Sequence, residues 1–452
     1  MVNIFHTPQN FFYITFIFFS FCSLNILCQN KTLFVFEHFR HGARAPWRLA
    51  DKENNLDLFG EEWNGEGELT PSGLRMHYLL GHKNRKRYEN FISPSPNLNE
   101  ILVYSTSVNR TILSVYAHLQ GMYPSQTGKI LTESQFERAN ELYYNESQYL
   151  KDEINALGYS SLKNNISLIP VHIFDDTERE IKLNENDVCP GMEKYKNKNY
   201  QSKEGQNYLY QSSHLINSTY GKELFKYFNL TDPNYYYDRA SIYVLADTYI
   251  SDYFDKRPLT EFSKTGIDQE QFYIDSAKVV DSDLFDLEYK TENDVIIYVG
   301  MSPTFRRLLD WMDKRINLDK EGKTDLIDKA SPKMVIYSGH DTTVGLMSLF
   351  IEKVFGFKAI PPTFAANQYF ELYKDEKNDY RVRYIFNDDE MFSMDYNVFK
   401  QDVEKVLWTK EEINELCDEV DESNSWKIVT YIMIGIVLAL IVIIIYLKKT
   451  IN

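Results

Sequence analysis

The sequence predicts an α/β fold: a mostly parallel central sheet flanked by helices, with a helical cap insertion and a C-terminal transmembrane helix. Three observations predict it. Short apolar runs rich in β-branched and aromatic residues alternate with longer helix-compatible stretches. The middle of the chain, 140–290, is rich in Tyr, Asn, Glu and Lys, with helical periodicity and few strands. Near the end, residues 428–447 form a run of 20 residues without a charge. With 43% hydrophobic, 15% aromatic and 25% charged residues, the 452-residue chain can fill a substantial core, which excludes wholesale disorder. The net charge of -16 argues against nonspecific nucleic-acid binding, which needs a cationic face. A few Arg side chains can still make one cationic pocket on an acidic protein.

The elements follow in chain order. Residues 11–28 form an apolar run behind a nearly uncharged start, which reads as a signal peptide over 1–29. The first part of the α/β domain, 30–139, holds strand-like runs at 31–37 and 101–105. The helical cap follows over 140–290. The second part, 291–425, adds strand-like runs at 294–300 and 333–338. Residues 367–373 and 379–386 flank a polar KDEKND segment and read as an antiparallel hairpin. At 1.5 Å per residue, 428–447 spans about 30 Å, the thickness of a bilayer core. Lys448 and Lys449 follow it and an acidic run precedes it, so 448–452 reads as a cytosolic tail. These ends predict a single-pass type I membrane protein with the bilayer as partner. Its working domain would be extracellular or luminal, at the cell surface or in a lysosome-like compartment.

Cysteine and sequon placement fit that compartment. Cys22 and Cys28 lie in the signal segment, leaving Cys189 and Cys417 either to form one disulfide or to stay as thiols. Asn145, Asn165, Asn217 and Asn229 are candidate glycosylation sites, and Asn109 heads a further sequon.

The chemistry concentrates where strands end, which is where open α/β sheets bind ligands. After the first strand comes RHGARAP, with Arg40, His41 and Arg44. Guanidiniums present a fixed fork of donors suited to phosphate oxygens, and a neutral His can attack phosphorus through a ring nitrogen. The second strand leads into STSVNRT, placing Arg110 beyond its end, where a third guanidinium can join the first two. Glycosylation of Asn109 beside it would obstruct entry, so that sequon is expected to be unused. The run KMVIYS ends in GHD, with His340 and Asp341: a donor to phosphate oxygens beside a carboxylic acid able to protonate a leaving oxygen.

RHGARAP and the distal HD, with STSVNRT, the GEGELTPSGLRMHYLLG stretch, the Cys189-Pro190 pair and the YFELY strand, resemble the histidine acid phosphatase branch of the histidine phosphatase superfamily (branch 2). The membrane-bound acid phosphatases of that branch match the predicted topology. The resemblance covers about 31–420 and is looser across the cap. It implies His41 as nucleophile, Arg40, Arg44 and Arg110 as phosphate clamps, His340 as a further donor and Asp341 as proton donor. It also implies a phosphohistidine intermediate formed with no metal or cofactor. A further pocket His found in some relatives has no counterpart between 240 and 258, and Asp247 is given no role. Phe39, Trp47 and Arg48 are candidates for the pocket mouth.

The leading expectation is therefore an acid phosphatase acting on phosphate monoesters, small-molecule or protein-borne, on the luminal or extracellular side of a membrane. An inositol polyphosphate phosphatase is the alternative, because related enzymes share both motifs; a broad Lys/Arg-lined pocket would favour it, whereas the acidic, tyrosine-rich cap gives it little support. A catalytically inactive binding or adhesion protein on the same fold is the reading from another class.

Overall fold

The structure is a computed structural model that describes residues 30–143, 147–174, 189–230, 239–290, 292–418 and 433. Strand β1 (Lys31–Arg40) is buried from Leu33 to its end. No side of it meets water, which is why it reads as a continuous apolar run instead of alternating. Its partners are β4 (Met334–Gly339), parallel, and β5 (Asn367–Lys374), antiparallel. With β2 (Ile101–Ser105), β3 (His172–Ile173), β6 (Tyr380–Phe386) and β7 (Asp389–Asp395) the sheet has the order β3-β2-β4-β1-β5-β6-β7.

The expected mostly parallel sheet is corrected: the sheet is mixed. Strands β3, β2, β4 and β1 run parallel, whereas β5, β6 and β7 alternate in direction. Short connections between the last three strands allow only antiparallel pairing. Asp375 accepts from Lys377 N and Asp379 N at 2.9 Å each, closing the turn between β5 and β6.

Two cores cover the sheet. On one face Val35, Phe39, Val103 and Ile336 pack with Val115, Leu119 and Met122. The last three come from helix α2 (Asn109–Met122), which lies against α1 (Pro71–Arg87). On the other face Phe34 and Phe36 meet Phe305 and Leu308 of α7 (Val295–Lys320) and Met347 and Phe350 of α8 (Asp341–Phe355).

Helix α7 corrects a second expectation, since 294–300 was expected as a strand. Val295, Ile296, Ile297, Val299 and Met301 are all buried, and a helix buried on every side shows no period to distinguish it from a core strand.

A third core is helical. Ile216 of α4 (Lys203–Thr219), Leu245 and Tyr249 of α5 (Arg239–Phe254), and Phe272 and Val279 of α6 (Gln269–Ser282) pack with Phe262. Helix α3 (Pro190–Gln201) is bound to helix α10 (Lys410–Asp418) by the Cys189–Cys417 disulfide, so those cysteines pair. Helix α9 (Tyr396–Glu404) packs on β6 and β7.

The expected membrane topology is also corrected. Among the described residues no helix is long and apolar enough to cross a membrane. The segment 1–29 and, apart from Met433, the segment 428–447 lie outside the described residues. The transmembrane helix, the bilayer as partner and the type I localisation are accordingly withdrawn.

Candidate active site

Strand register assembles the site. Arg40 pairs with Gly339 across β1 and β4, and Ser105 pairs with Ser338 across β2 and β4. All three strands therefore release their next residues at one edge. His41 N donates to Gly339 O at 2.9 Å, so the His41 turn and the His340–Asp341 turn leave side by side. The centroids of the His41 and His340 rings are 5.6 Å apart.

The turn after β1 is held by backbone. A Cβ on Gly42 would stand 2.4 Å from Gly73 O, and one on Gly73 would stand 2.2 Å from Ala43 O, so both positions need glycine for close approach. Thr70 caps α1 by accepting from Gly73 N at 3.1 Å while its hydroxyl donates to Ala43 O at 3.1 Å. Ser114 of α2 accepts from Gly42 N at 3.1 Å. The GEGELTPSG stretch thus buttresses the RHG turn.

His41 is 1% exposed and its Nδ1 lies 2.8 Å from Gly42 O. A carbonyl oxygen only accepts, so Nδ1 carries the proton and Nε2 keeps its lone pair. Burial first, then Arg40, Arg110, His340 and Arg44, hold His41 well below the usual imidazole range, and the ring is neutral.

Three guanidiniums surround it. Arg40 donates to Pro362 O at 2.8 Å, lies 4.5 Å over the Phe364 ring and pairs with Asp341 at 2.6 Å. Arg44 is gripped by Asp247 of α5 through two bonds of 3.1 and 2.7 Å, and Asp247 also accepts from Trp47 N at 2.7 Å. That carboxylate raises the Arg44 pKa against the effect of burial. Arg110 lies 3.4 Å from His340 Nδ1, and burial, then Arg44, lower its pKa to about 10. The buried Nε atoms of Arg40, Arg44 and Arg110 have no acceptor within the described residues. An oxyanion among them would meet several unengaged donors.

His340 Nε2 contacts Thr106 Oγ1 at 2.9 Å, and Thr106 contacts Thr111 Oγ1 at 2.7 Å. Burial, then Arg110, lower the His340 pKa to about 3. For Asp341, burial pushes the pKa up, but Arg40, Arg44, His340 and Arg110 prevail and bring it down to about 2. The free site therefore holds a neutral imidazole with a free Nε2 lone pair, an ionised carboxylate and three guanidiniums.

The cavity over these groups has a volume of about 700 Å3 and is lined by His41, Arg44, Arg110, His340 and Asp341. The lining also includes Arg48, Lys196 and Arg239 with Asp283 and Glu288. Arg48 stacks 4.5 Å over Trp47, which meets Tyr243 edge-on at 6.0 Å. Arg239 donates to Asp283 and, at 2.8 Å, to Glu288.

The structure brings together every predicted site residue: His41, Arg40, Arg44, Arg110, His340 and Asp341. Trp47 and Arg48 line the mouth as expected, whereas Phe39 is fully buried, stacked 4.9 Å from His118. Sequence reasoning missed Asp247 and Thr106. Asp247 had a readable signal: a carboxylate inside the apolar run VLADTYI needs a cation. Among the candidate glycosylation sites, Asn229 is exposed, while Asn165 is 6% exposed and donates to Gly128 O at 3.0 Å. Asn217 is half-buried, and Asn145 lies outside the described residues.

Comparison with known proteins agrees with this geometry. The family model of the histidine phosphatase superfamily (branch 2) matches residues 34–387. The lysosomal acid phosphatase of Bos taurus is 24% identical over 80% of this chain and 72% of its own, and that of Homo sapiens is 23% identical over 79% and 70%. Among solved structures, the Hafnia alvei phytase in complex with tartrate aligns at a TM-score of 0.56 and 14% identity, covering 84% of this chain and 98% of its own. The Citrobacter braakii phytase aligns at 0.53, with 14% identity and the same coverage. At that identity the likeness is one of fold. The chain is thus a hydrolase of the histidine acid phosphatase type, and it belongs to branch 2 of the histidine phosphatase superfamily.

Proposed function

We propose that this chain removes phosphate from a multiply phosphorylated small molecule of the inositol polyphosphate class. This replaces the membrane-side acid phosphatase expected from the sequence. The observation that carries the reading is the lining of the cavity: besides Arg44 and Arg110 it holds Arg48, Lys196 and Arg239, the last two paired with Glu288 and Asp283. One phosphoryl group occupies the Arg40, Arg44 and Arg110 cluster, and the further cations of the lining, the exposed Arg48 first, meet other phosphates on the same molecule. A phytase of like fold, that of Hafnia alvei, was solved in complex with myo-inositol hexakis sulphate.

The steps follow from the geometry. The His41 Nε2 lone pair attacks phosphorus, the bond to the leaving oxygen breaks, and Asp341 delivers the proton that the departing alkoxide needs. Arg40, Arg44 and Arg110 carry the charge that builds on the equatorial oxygens. Water then attacks the phosphohistidine, Asp341 accepts its proton, the N–P bond breaks and phosphate leaves. Arg110 donates to His340 Nδ1 and His340 keeps its proton on Nε2, toward Thr106, so His340 steadies Arg110 against the phosphate oxygen.

Asp341 begins ionised, held low by Arg40. An entering phosphate competes for Arg40 and brings its own negative charge, and both effects raise the proton affinity of Asp341. Turnover is therefore favoured at acid pH and falls as pH rises. The test is phosphate release by the purified full-length chain from inositol hexakisphosphate and from p-nitrophenyl phosphate, with Arg48→Ala beside wild type. The expected result is an Arg48→Ala defect confined to KM for the polyphosphate. Equal KM effects on both substrates, or capture of the polyphosphate without turnover, would overturn the reading.

A further inference from the structure

Behind the site, a buried relay runs from the β5–β6 hairpin to the turn that presents Asp341. Tyr384 OH donates to Gln368 Oε1 at 2.7 Å, and Gln368 Nε2 lies 3.2 Å from His38 Nδ1. On the other side of the ring, His38 Nε2 lies 3.2 Å from Thr343 Oγ1. Thr343 Oγ1 accepts from His340 N at 3.0 Å and donates to His340 O at 3.1 Å. The directions are consistent throughout. An amide nitrogen only donates, so Nδ1 of His38 accepts, Nε2 carries the proton, and Thr343 is free to spend its hydroxyl proton on His340 O.

We propose that His38 is a positioning residue for the proton donor, holding Asp341 through Thr343 and the His340 backbone; this rests on Asp341 protonating the leaving group, as set out above. His38, Thr343 and Gln368 are 1%, 2% and 0% exposed. Val or Leu would fill such a strand position without a polar group to satisfy, whereas a buried imidazole is tolerated only with its nitrogens bonded. The relay is also packed without slack. A Cβ on Gly339 would stand 2.3 Å from Thr343 Oγ1 and 2.9 Å from His38 Nε2. Burial lowers the His38 pKa to about 3, so the ring stays neutral and acts through geometry, not titration. Strand β1 and the turn that follows it thus serve the reaction from opposite ends of one mechanism: His41 in the turn as nucleophile and His38 in the strand in aiming the acid.

A misaimed acid matters most for poor leaving groups, which cannot depart without a proton. The test measures kcat/KM of the full-length protein with glycerol phosphate, an alkyl ester, and with p-nitrophenyl phosphate. His38→Leu is expected to lower the alkyl value about tenfold or more and the aryl value less than about twofold. His38→Gln, whose amide can accept from Gln368 and donate to Thr343, restores most of the alkyl activity. Thr343→Val reproduces the loss, Thr343→Ser does not, and this pair decides the matter where His38→Leu gives no cooperative melt. Equal losses on both substrates that track a fall in melting temperature would overturn the proposal and leave His38 a core residue. Asp341→Asn is the reference: if it shows no such substrate dependence, the proton-donor reading fails and the proposal falls with it. If it does and His38→Leu does not, the proposal alone fails.

Discussion

Replacing Asp247 by Asn tests how the phosphate clamp is held in place. Asp247 is 6% exposed and Arg44 4%, and the pair shares bonds of 3.1 and 2.7 Å with a third bond, at 2.7 Å, from Trp47 N. Removing one partner of a buried pair costs about 3–5 kcal/mol, because the other charge is left uncompensated. Asn keeps the shape and one acceptor for Trp47 N or Arg44, so the lower end, about 3 kcal/mol, is expected for the free protein. Inorganic phosphate supplies an anion to Arg44 and should return a large part of that loss, through binding to the native state alone. The assay is urea unfolding of wild type and Asp247→Asn, each without and with saturating phosphate. A loss below about 1 kcal/mol, the scale of an exposed pair, would refute the reasoning. So would a loss that phosphate leaves unchanged.

Three further outcomes are expected. Asp341 has its pKa lowered from 3.8 to about 2 in the folded protein, so it adds stability above the unfolded value that disappears as pH falls through the folded one; Asp341→Asn should flatten the loss of stability between those two pH values, as read by unfolding midpoints. Cys189 and Cys417 close a loop of 228 residues, and Cys189→Ser is expected to cost about 3 kcal/mol and to remove the effect of reductant on the melting temperature. Asn109 is exposed but donates to Glu68 at 3.0 Å beside Arg110, so glycopeptide mapping after secretion should find that sequon unmodified while Asn229 carries glycan.

The site was largely legible in the sequence because its groups follow strand ends directly. Arg40, His41, His340 and Asp341 need only the register of β1 on β4 to meet. Asp247 joins them across 203 residues from inside a helix, with no local pattern to announce its partner. The fold was legible where period and length were distinctive. The runs 31–37, 101–105 and 333–338 are strands, and the hairpin at 367–386 is present. Residues 294–300 misled because a fully buried helix and a core strand present the same unbroken apolar run. Strand β7, DEMFSMD, is too polar to stand out, and it gains its place from pairing with β6. The direction of β5 against β1 depends on which edge the hairpin takes, which no local residue specifies.

The central claim is that phosphate passes through His41. Rapid quenching of the full-length enzyme during turnover of a phosphorus-labelled monoester, followed by peptide mass spectrometry under alkaline conditions that preserve phosphohistidine, tests it most directly. Label on His41 in wild type and none in His41→Ala is the predicted result; turnover with label on another residue, or phosphate release by His41→Ala at the wild-type rate, would contradict it.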